Sequence, residues 1–132
     1  SINDIREAIY FCYYYSSEAK KLFSYPKKLK GPTGELNELH YEGKGVYFTI
    51  SPWNFPIAIF VGQIVGPLIT GNTIIAKPAE QTSIIAYEIT KLFLKAGLPS
   101  SALQLLLGYG KEIGDIVLND TRINGAGGVV RH

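Results

Sequence analysis

Asn54 stands between two prolines in the stretch Ser51-Pro52-Trp53-Asn54-Phe55-Pro56. A side-chain amide donates two hydrogen bonds without titrating, which suits it to stabilising an oxyanion that develops on a carbonyl substrate. The same residue type equally suits the organisation of a turn between prolines. Lys77 and Glu80 form a second group. A lysine at the end of an apolar strand, with a carboxylate three residues on, can grip both hydroxyls of a ribose, the ammonium donating and the carboxylate accepting. The plainer alternative is a surface ion pair contributing less than ~1 kcal/mol. Lys77 is the first charged residue after Gly45–Ala76, a stretch without Asp, Glu, Lys or Arg, so it marks where a buried strand emerges. A third group is Gly108-Tyr109-Gly110, followed by Gly114. It could form the glycine-rich turn before a nucleotide-binding helix, although it has one residue too many for the usual dinucleotide fingerprint. Glycines there would admit a cofactor to the backbone, or would simply make a tight turn.

These residues need elements to hold them. Asp4 to Phe23 reads as an amphipathic helix, with Ile5, Ile9, Cys12, Ser16, Ala19 and Phe23 recurring on one face. Asp4, with Glu7 three residues later, resembles an N-cap with its reciprocal partner. Cys12, on that face, reads as a small hydrophobe rather than a nucleophile. From Tyr25 to Gly43 the periodicity breaks, and Lys27, Lys28 and Lys30 precede Gly31-Pro32-Thr33-Gly34, which favours turns and an extended path. After Gly45 strand and helix signals alternate. Val46–Ile50 and Thr73–Ala76 are short runs fit for buried strands. Ile57–Leu68 is an apolar helix without a charged face. Thr82 or Ser83 caps a helix running to about Lys95, with Gly97 as its stop. Leu103–Leu107 is a third strand and Glu112–Leu118 a further helix.

The expected fold is therefore α/β: an incomplete Rossmann-like parallel sheet with right-handed crossovers and flanking helices, preceded by the N-terminal amphipathic helix. The expected division is a helix and extended linker over residues 1–44 and a partial nucleotide-binding domain over residues 45–132. In such a sheet ligands bind outside the carboxyl ends of the strands, so Ser51–Phe55 and Lys77–Glu80 share one edge.

Composition narrows the function classes. The chain has 132 residues, 46% of them hydrophobic, with a formal net charge of +2. Wholesale disorder is excluded, and so is a nucleic-acid binder working by charge alone. One cysteine excludes an intrachain disulfide and fits a reducing compartment, so a cytoplasmic location is expected. Only two histidines, His40 and His132, leave little for a zinc site, and no metal is expected. The uncharged stretch Gly45–Ala76 is cut by Pro52, Asn54, Pro56, Pro67 and Gly71-Asn72, against a membrane-spanning helix.

Together these motifs resemble the aldehyde dehydrogenase superfamily. Ile50-Ser51-Pro52-Trp53-Asn54-Phe55-Pro56 is similar to its signature loop, Gly71-Asn72-Thr73 through Lys77-Pro78-Ala79-Glu80 to its adenosine-ribose segment, and Gly108-Tyr109-Gly110 with Gly114 to its adenine-side turn. Within the superfamily the likeness is to the L-glutamate γ-semialdehyde (pyrroline-5-carboxylate) dehydrogenase module of proline utilization A. It rests on Gly31-Pro32-Thr33-Gly34-Glu35, Asn54–Phe60 and Lys77–Thr82, and runs to about Gly125. The resemblance implies NAD as cofactor and a small-molecule aldehyde as substrate. Asn54 is then the oxyanion donor, Lys77 and Glu80 the ribose ligands, and Ile50, Ser51, Pro52, Trp53, Gly110 and Gly114 the lining of the cofactor cleft. It also implies covalent chemistry through a cysteine thiolate and a water-activating glutamate.

Departures from the family pattern bear on activity. Cys12 precedes the nucleotide-binding strands, and no glutamate matches the general base. After Ile123-Asn124-Gly125, where the family continues into a strand and a Gly-Ser-Thr turn, this chain reads Ala126-Gly127-Gly128-Val129-Val130-Arg131-His132. The expectation is a fragment that is inactive alone and short of its next strand. It would self-associate, or pair with a complementary fragment or a proline dehydrogenase domain. The rival reading is a non-catalytic nucleotide-binding or docking half-domain that works with a partner chain.

Overall fold

The computed structural model describes residues 1–128. Its centre is a four-stranded parallel sheet in the order β5-β4-β3-β6, formed by β3 (Val46–Ser51), β4 (Thr73–Pro78), β5 (Leu103–Leu105) and β6 (Ile123–Gly128). Helices α1 (Ile2–Phe23), α2 (Ala58–Ile69), α3 (Ser83–Lys95) and α4 (Gly110–Leu118) flank it, and a short antiparallel hairpin, β1 (Lys27–Leu29) with β2 (Asn37–Leu39), stands apart. The α/β class is as expected.

The core follows from alternation along the strands. Ile74 and Ala76 on β4 and Leu103 on β5 are buried beneath Phe60 and Ile64 of α2 and Ala86 of α3. The residues between them point to the other face, where Phe48 is fully buried and α4 brings Ile116, Val117 and Leu118 over the sheet. The run Gly97-Leu98-Pro99 ends α3 as expected: Gly97 takes a positive φ of 109°, and its N–H and that of Leu98 bond back to Leu94 O and Phe93 O.

Several expectations need correction. Helix α1 is capped by Ser1, whose Oγ accepts from Asp4 N at 3.4 Å, and not by Asp4. Of the expected face, Cys12 and Ala19 are covered, but Ile5 and Ile9 are 48% and 51% exposed. The buried face is the line of Asp4, Ala8, Cys12, Tyr15 and Ala19. The reason lies on α2, where Gly62 and Gly66 present bare backbone to the rings of Phe11 and Tyr15, so α1 seats on its smaller and aromatic side chains. A Cβ on Gly62 would come within 3.1 Å of Phe11, tighter than ordinary packing.

At α3, neither Thr82 nor Ser83 caps the helix through its side chain. Both hydroxyls donate to carbonyls of the preceding 3-10 turn, Thr82 to Ala79 O and Ser83 to Glu80 O. The span from Tyr25 to Gly43 contains the β1–β2 hairpin as well as turns. The largest correction concerns the expected end of the sheet. Residues 123–128 do form a strand, parallel to β3 from Val46↔Ile123 to Ile50↔Gly128, with a register shift after the first pair. Thus β3 is an internal strand with both ladders paired, and Phe48 and Thr49 are buried. Of the closing stretch Ala126–His132, residues 129–132 lie outside the described residues.

No described helix is long and apolar enough to cross a membrane. Among the described residues no cluster of His, Cys, Asp or Glu could hold a metal ion.

Candidate functional site

All four parallel strands place their carboxyl ends on one edge, and the connections leaving that edge diverge. After β4 the chain turns into α3 over the face carrying Ile74 and Ala76, and after β5 into α4 over the face carrying Phe48 and Ile75. Divergence of neighbouring connections opens a crevice at the carboxyl edge, the place where open α/β sheets bind ligands.

Lys77, Glu80 and Gly110 meet at this edge. Lys77 is still within β4, not beyond its end, and its side chain is 2% exposed. Its Nζ donates to Pro78 O at 3.0 Å and lies 3.5 Å from Glu80 Oε1. Glu80 is half-exposed, and its Oε1 accepts from Gly110 N at 2.8 Å, which ties the first turn of α4 to the end of β4. The Glu80 carboxyl is held below its ordinary range, first by its own backbone N–H, then by that of Gly110, with the Lys77 ammonium adding to both. It is therefore an ionised acceptor at neutral pH. The buried ammonium keeps donor capacity beyond its bond to Pro78, because it has three N–H groups.

Gly108 has a positive φ of 149°, which a side chain would strain, so the first glycine of the turn is a backbone requirement. Gly110 is different: an added Cβ would make only ordinary contacts, 3.8 Å from Lys77 Cε and 3.9 Å from Glu80 Oε1. Gly114 is buried, and the space into which its Cβ would point is open.

Asn54 lies on the neighbouring connection, between β3 and α2. Ser51 and Pro52 are buried, Trp53 is 58% exposed, and Asn54 is half-buried. The Asn54 Oδ1 is enclosed and has no hydrogen-bond partner, so this oxygen takes no part in organising the turn. Ile50 and Ser51 complete the end of β3, paired with Lys77 and Pro78.

Cys12 is not among the residues gathered at this edge. It sits half-buried in α1 against α2, and burial pushes its thiol above the ordinary value, the opposite of what a thiolate nucleophile needs. Asn72, part of the segment read as a ribose motif, stands at the opposite, amino-terminal edge of the sheet. There its Oδ1 accepts from Lys44 N and Gly45 N, joining the linker to the start of β4.

An open parallel sheet flanked by helices, with Lys77, Glu80 and a glycine turn gathered at its carboxyl edge, defines an α/β domain. More narrowly, residues 1–127 match the model of the aldehyde dehydrogenase family, and the chain belongs to that family. It is 40% identical over 125 residues to the bifunctional protein PutA of Klebsiella aerogenes, covering 95% of this chain and 8% of that protein. A structure of proline utilization A with proline bound in remote sites superposes with a TM-score of 0.91 at 47% identity, covering 95% of this chain and 13% of the other. The 1-pyrroline-5-carboxylate dehydrogenase from Thermus with bound NAD gives a TM-score of 0.86 at 41% identity, covering 91% and 23%. The chain thus spans less than a quarter of each of these relatives.

Proposed function

We propose that the chain is the cofactor-binding front of an NAD-dependent L-glutamate γ-semialdehyde dehydrogenase. The observation that carries this reading is the convergence of the buried Lys77 ammonium, the ionised Glu80 and the bare backbone of Gly110 at the carboxyl edge of the sheet. It is supported by likeness to a 1-pyrroline-5-carboxylate dehydrogenase whose structure holds NAD. Lys77 and Glu80 would hold the adenosine ribose, Gly110 and Gly114 the adenine side, and Ile50, Ser51, Pro52 and Trp53 the wall of the cleft. NAD, when bound, supplies the hydride acceptor. Asn54 donates from Nδ2 to the carbonyl oxygen of the aldehyde as negative charge develops there. Such an enzyme would work in the cytoplasm, with a proline dehydrogenase domain or a complementary fragment as partner.

Calorimetry tests the cofactor assignment. Ribose contacts without the family's pyrophosphate turn should give an NAD affinity near millimolar, about −4 kcal/mol. Lys77→Ala should weaken it by about tenfold or more, because a charge-assisted bond in a buried site is lost. Micromolar binding indifferent to Lys77→Ala would show that the nucleotide sits elsewhere.

Self-association is the second expectation of this reading. An apolar groove of about 440 Å³, lined by Phe11, Tyr15, Tyr47, Ile59 and Gly127, runs between α1, α2 and the sheet. Gln63 contributes to it an enclosed Oε1 without a partner. Ile5, Ile9, Tyr10 and Tyr13 lie exposed on α1. A second copy would cover this surface, so light scattering should report dimers or larger species at micromolar concentration. A stable monomer at high micromolar concentration would count against it.

A further inference from the structure

We propose that Asp4 is a positioning residue for Asn54, anchoring from α1 the loop that carries the amide. The inference rests on the reading of Asn54 as an oxyanion donor. Helix α2 begins without a cap of its own: Ile57 occupies the N-cap position with no side-chain bond, and its first turn holds no acidic residue. Its first free N–H groups, which make up the positive end of the helix, would be orphans. Asp4, 53 and 54 positions earlier in the chain, satisfies them. Its Oδ2 accepts from Ile57 N at 3.2 Å and its Oδ1 from Ala58 N at 2.8 Å, and the residue is 6% exposed.

This two-point grip sets where the chain enters α2, three residues after Asn54. At the other end of the loop Ser51 is held in the ladder against Pro78. Between the two anchors Pro52 and Pro56 fix their own φ and restrain the residues before them, which leaves the loop few ways to move. A capping carboxylate from the same segment would steady the helix alone. One delivered from α1 also makes the place of Asn54 depend on how α1 is seated against Gly62 and Gly66. Precise placement matters because misplacing a polar group by ~1 Å can cost about a hundredfold in rate.

Trp53 is the only tryptophan of the chain and adjoins Asn54, so its emission reports on the loop. The experiment compares the full chain with Asp4→Ala, Asp4→Asn and, as a control elsewhere in the core, Thr90→Ala in α3, by Trp53 quenching, the Asn54 side-chain amide resonances and hydrogen exchange. In Asp4→Ala, exchange at Ile57 and Ala58 should quicken by about tenfold or more, with shifted Asn54 resonances and greater quenching of Trp53. Asp4→Asn, which keeps one acceptor oxygen, should fall between Asp4→Ala and the unsubstituted chain. Thr90→Ala should leave all three signals in place. If Thr90→Ala moves them as far as Asp4→Ala, or if Asp4→Ala moves none, the proposal is overturned. Should Asp4→Ala fail to fold, the unsubstituted chain decides: Ile57 and Ala58 must exchange more slowly than Trp53 and Phe55, and equal rates overturn the anchor. None of these signals involves turnover, so they stand or fall separately from the role of Asn54 in catalysis.

Discussion

Incubated with NAD and L-glutamate γ-semialdehyde, the purified chain should produce no NADH above background. Oxidation of an aldehyde by this family's route needs a thiolate that attacks the carbonyl, and the sole cysteine is Cys12. That thiol is seated between α1 and α2, with its pKa raised by burial rather than lowered. Oxyanion stabilisation, the role proposed for Asn54, cannot replace a covalent step, because it acts only on a charge the nucleophile has already generated. Adding a complementary fragment that carries the nucleophile should restore turnover. In that mixture Asn54→Ala should lower kcat by about 10²–10³-fold, the usual consequence of removing one oxyanion donor. NADH formed by the chain alone, and abolished by Cys12→Ser, would reverse the assignment of both residues.

Phe60→Ala should remove a large part of the stability of the fold. Phe60 is buried where α2 meets Ile74, Ala76 and Leu103 of the sheet and Ala86 of α3, so its ring joins three elements at once. Truncation loses the transfer free energy of the ring and leaves a cavity, together about 3–5 kcal/mol. Against a total of about 5–15 kcal/mol for a typical domain, the variant should unfold at far lower urea or lose its cooperative transition. A loss under about 1 kcal/mol would mean that α2 is not seated on the sheet as described.

Much of this architecture was legible in the residues, and the illegible parts share a cause. Strands β3 and β4 and helices α2 and α3 carry their own apolar patterns, so each could be placed before any contact was known. Strand β6 has no such pattern: Gly125, Ala126, Gly127 and Gly128 form a strand because the open ladder of β3 accepts their backbone, not because of their own propensity. The hairpin of Lys27–Leu29 and Asn37–Leu39 is hidden in the same way, in residues poor in strand preference. In α1 the apolar spacing marked Cys12 and Ala19, which are covered, together with Ile5 and Ile9, which are not, since the choice was made by the glycines of α2. Asp4 looked like the cap of its own helix and serves another. At the site, the spacing of Lys77 and Glu80 announced a pair at a strand end. The bond from Gly110 to Glu80 could not be foreseen, because it depends on β5 setting α4 beside β4.

The pairing of β6 with β3 also has a kinetic side. Val46 N and Asn124 Oδ1, which bond at 3.0 Å, are 78 positions apart in the chain. The ladder can therefore form only after a long segment has been closed into a loop, and closure entropy must be met before any bond repays it. β3, α2 and β4 are near one another in sequence and bury Phe60, Ile64, Ile74 and Ala76 among themselves, so they can consolidate early. β6 has little to add when it arrives beyond Ile123 and its main-chain bonds, because most of its residues are Gly or Ala. It should be the last strand to dock and the first to open, and native-state hydrogen exchange should find its amides breathing while those of β4 stay closed. A chain emerging from the ribosome would thus hold its β3–β4 centre before β6 exists, with the far ladder of β3 still unpaired.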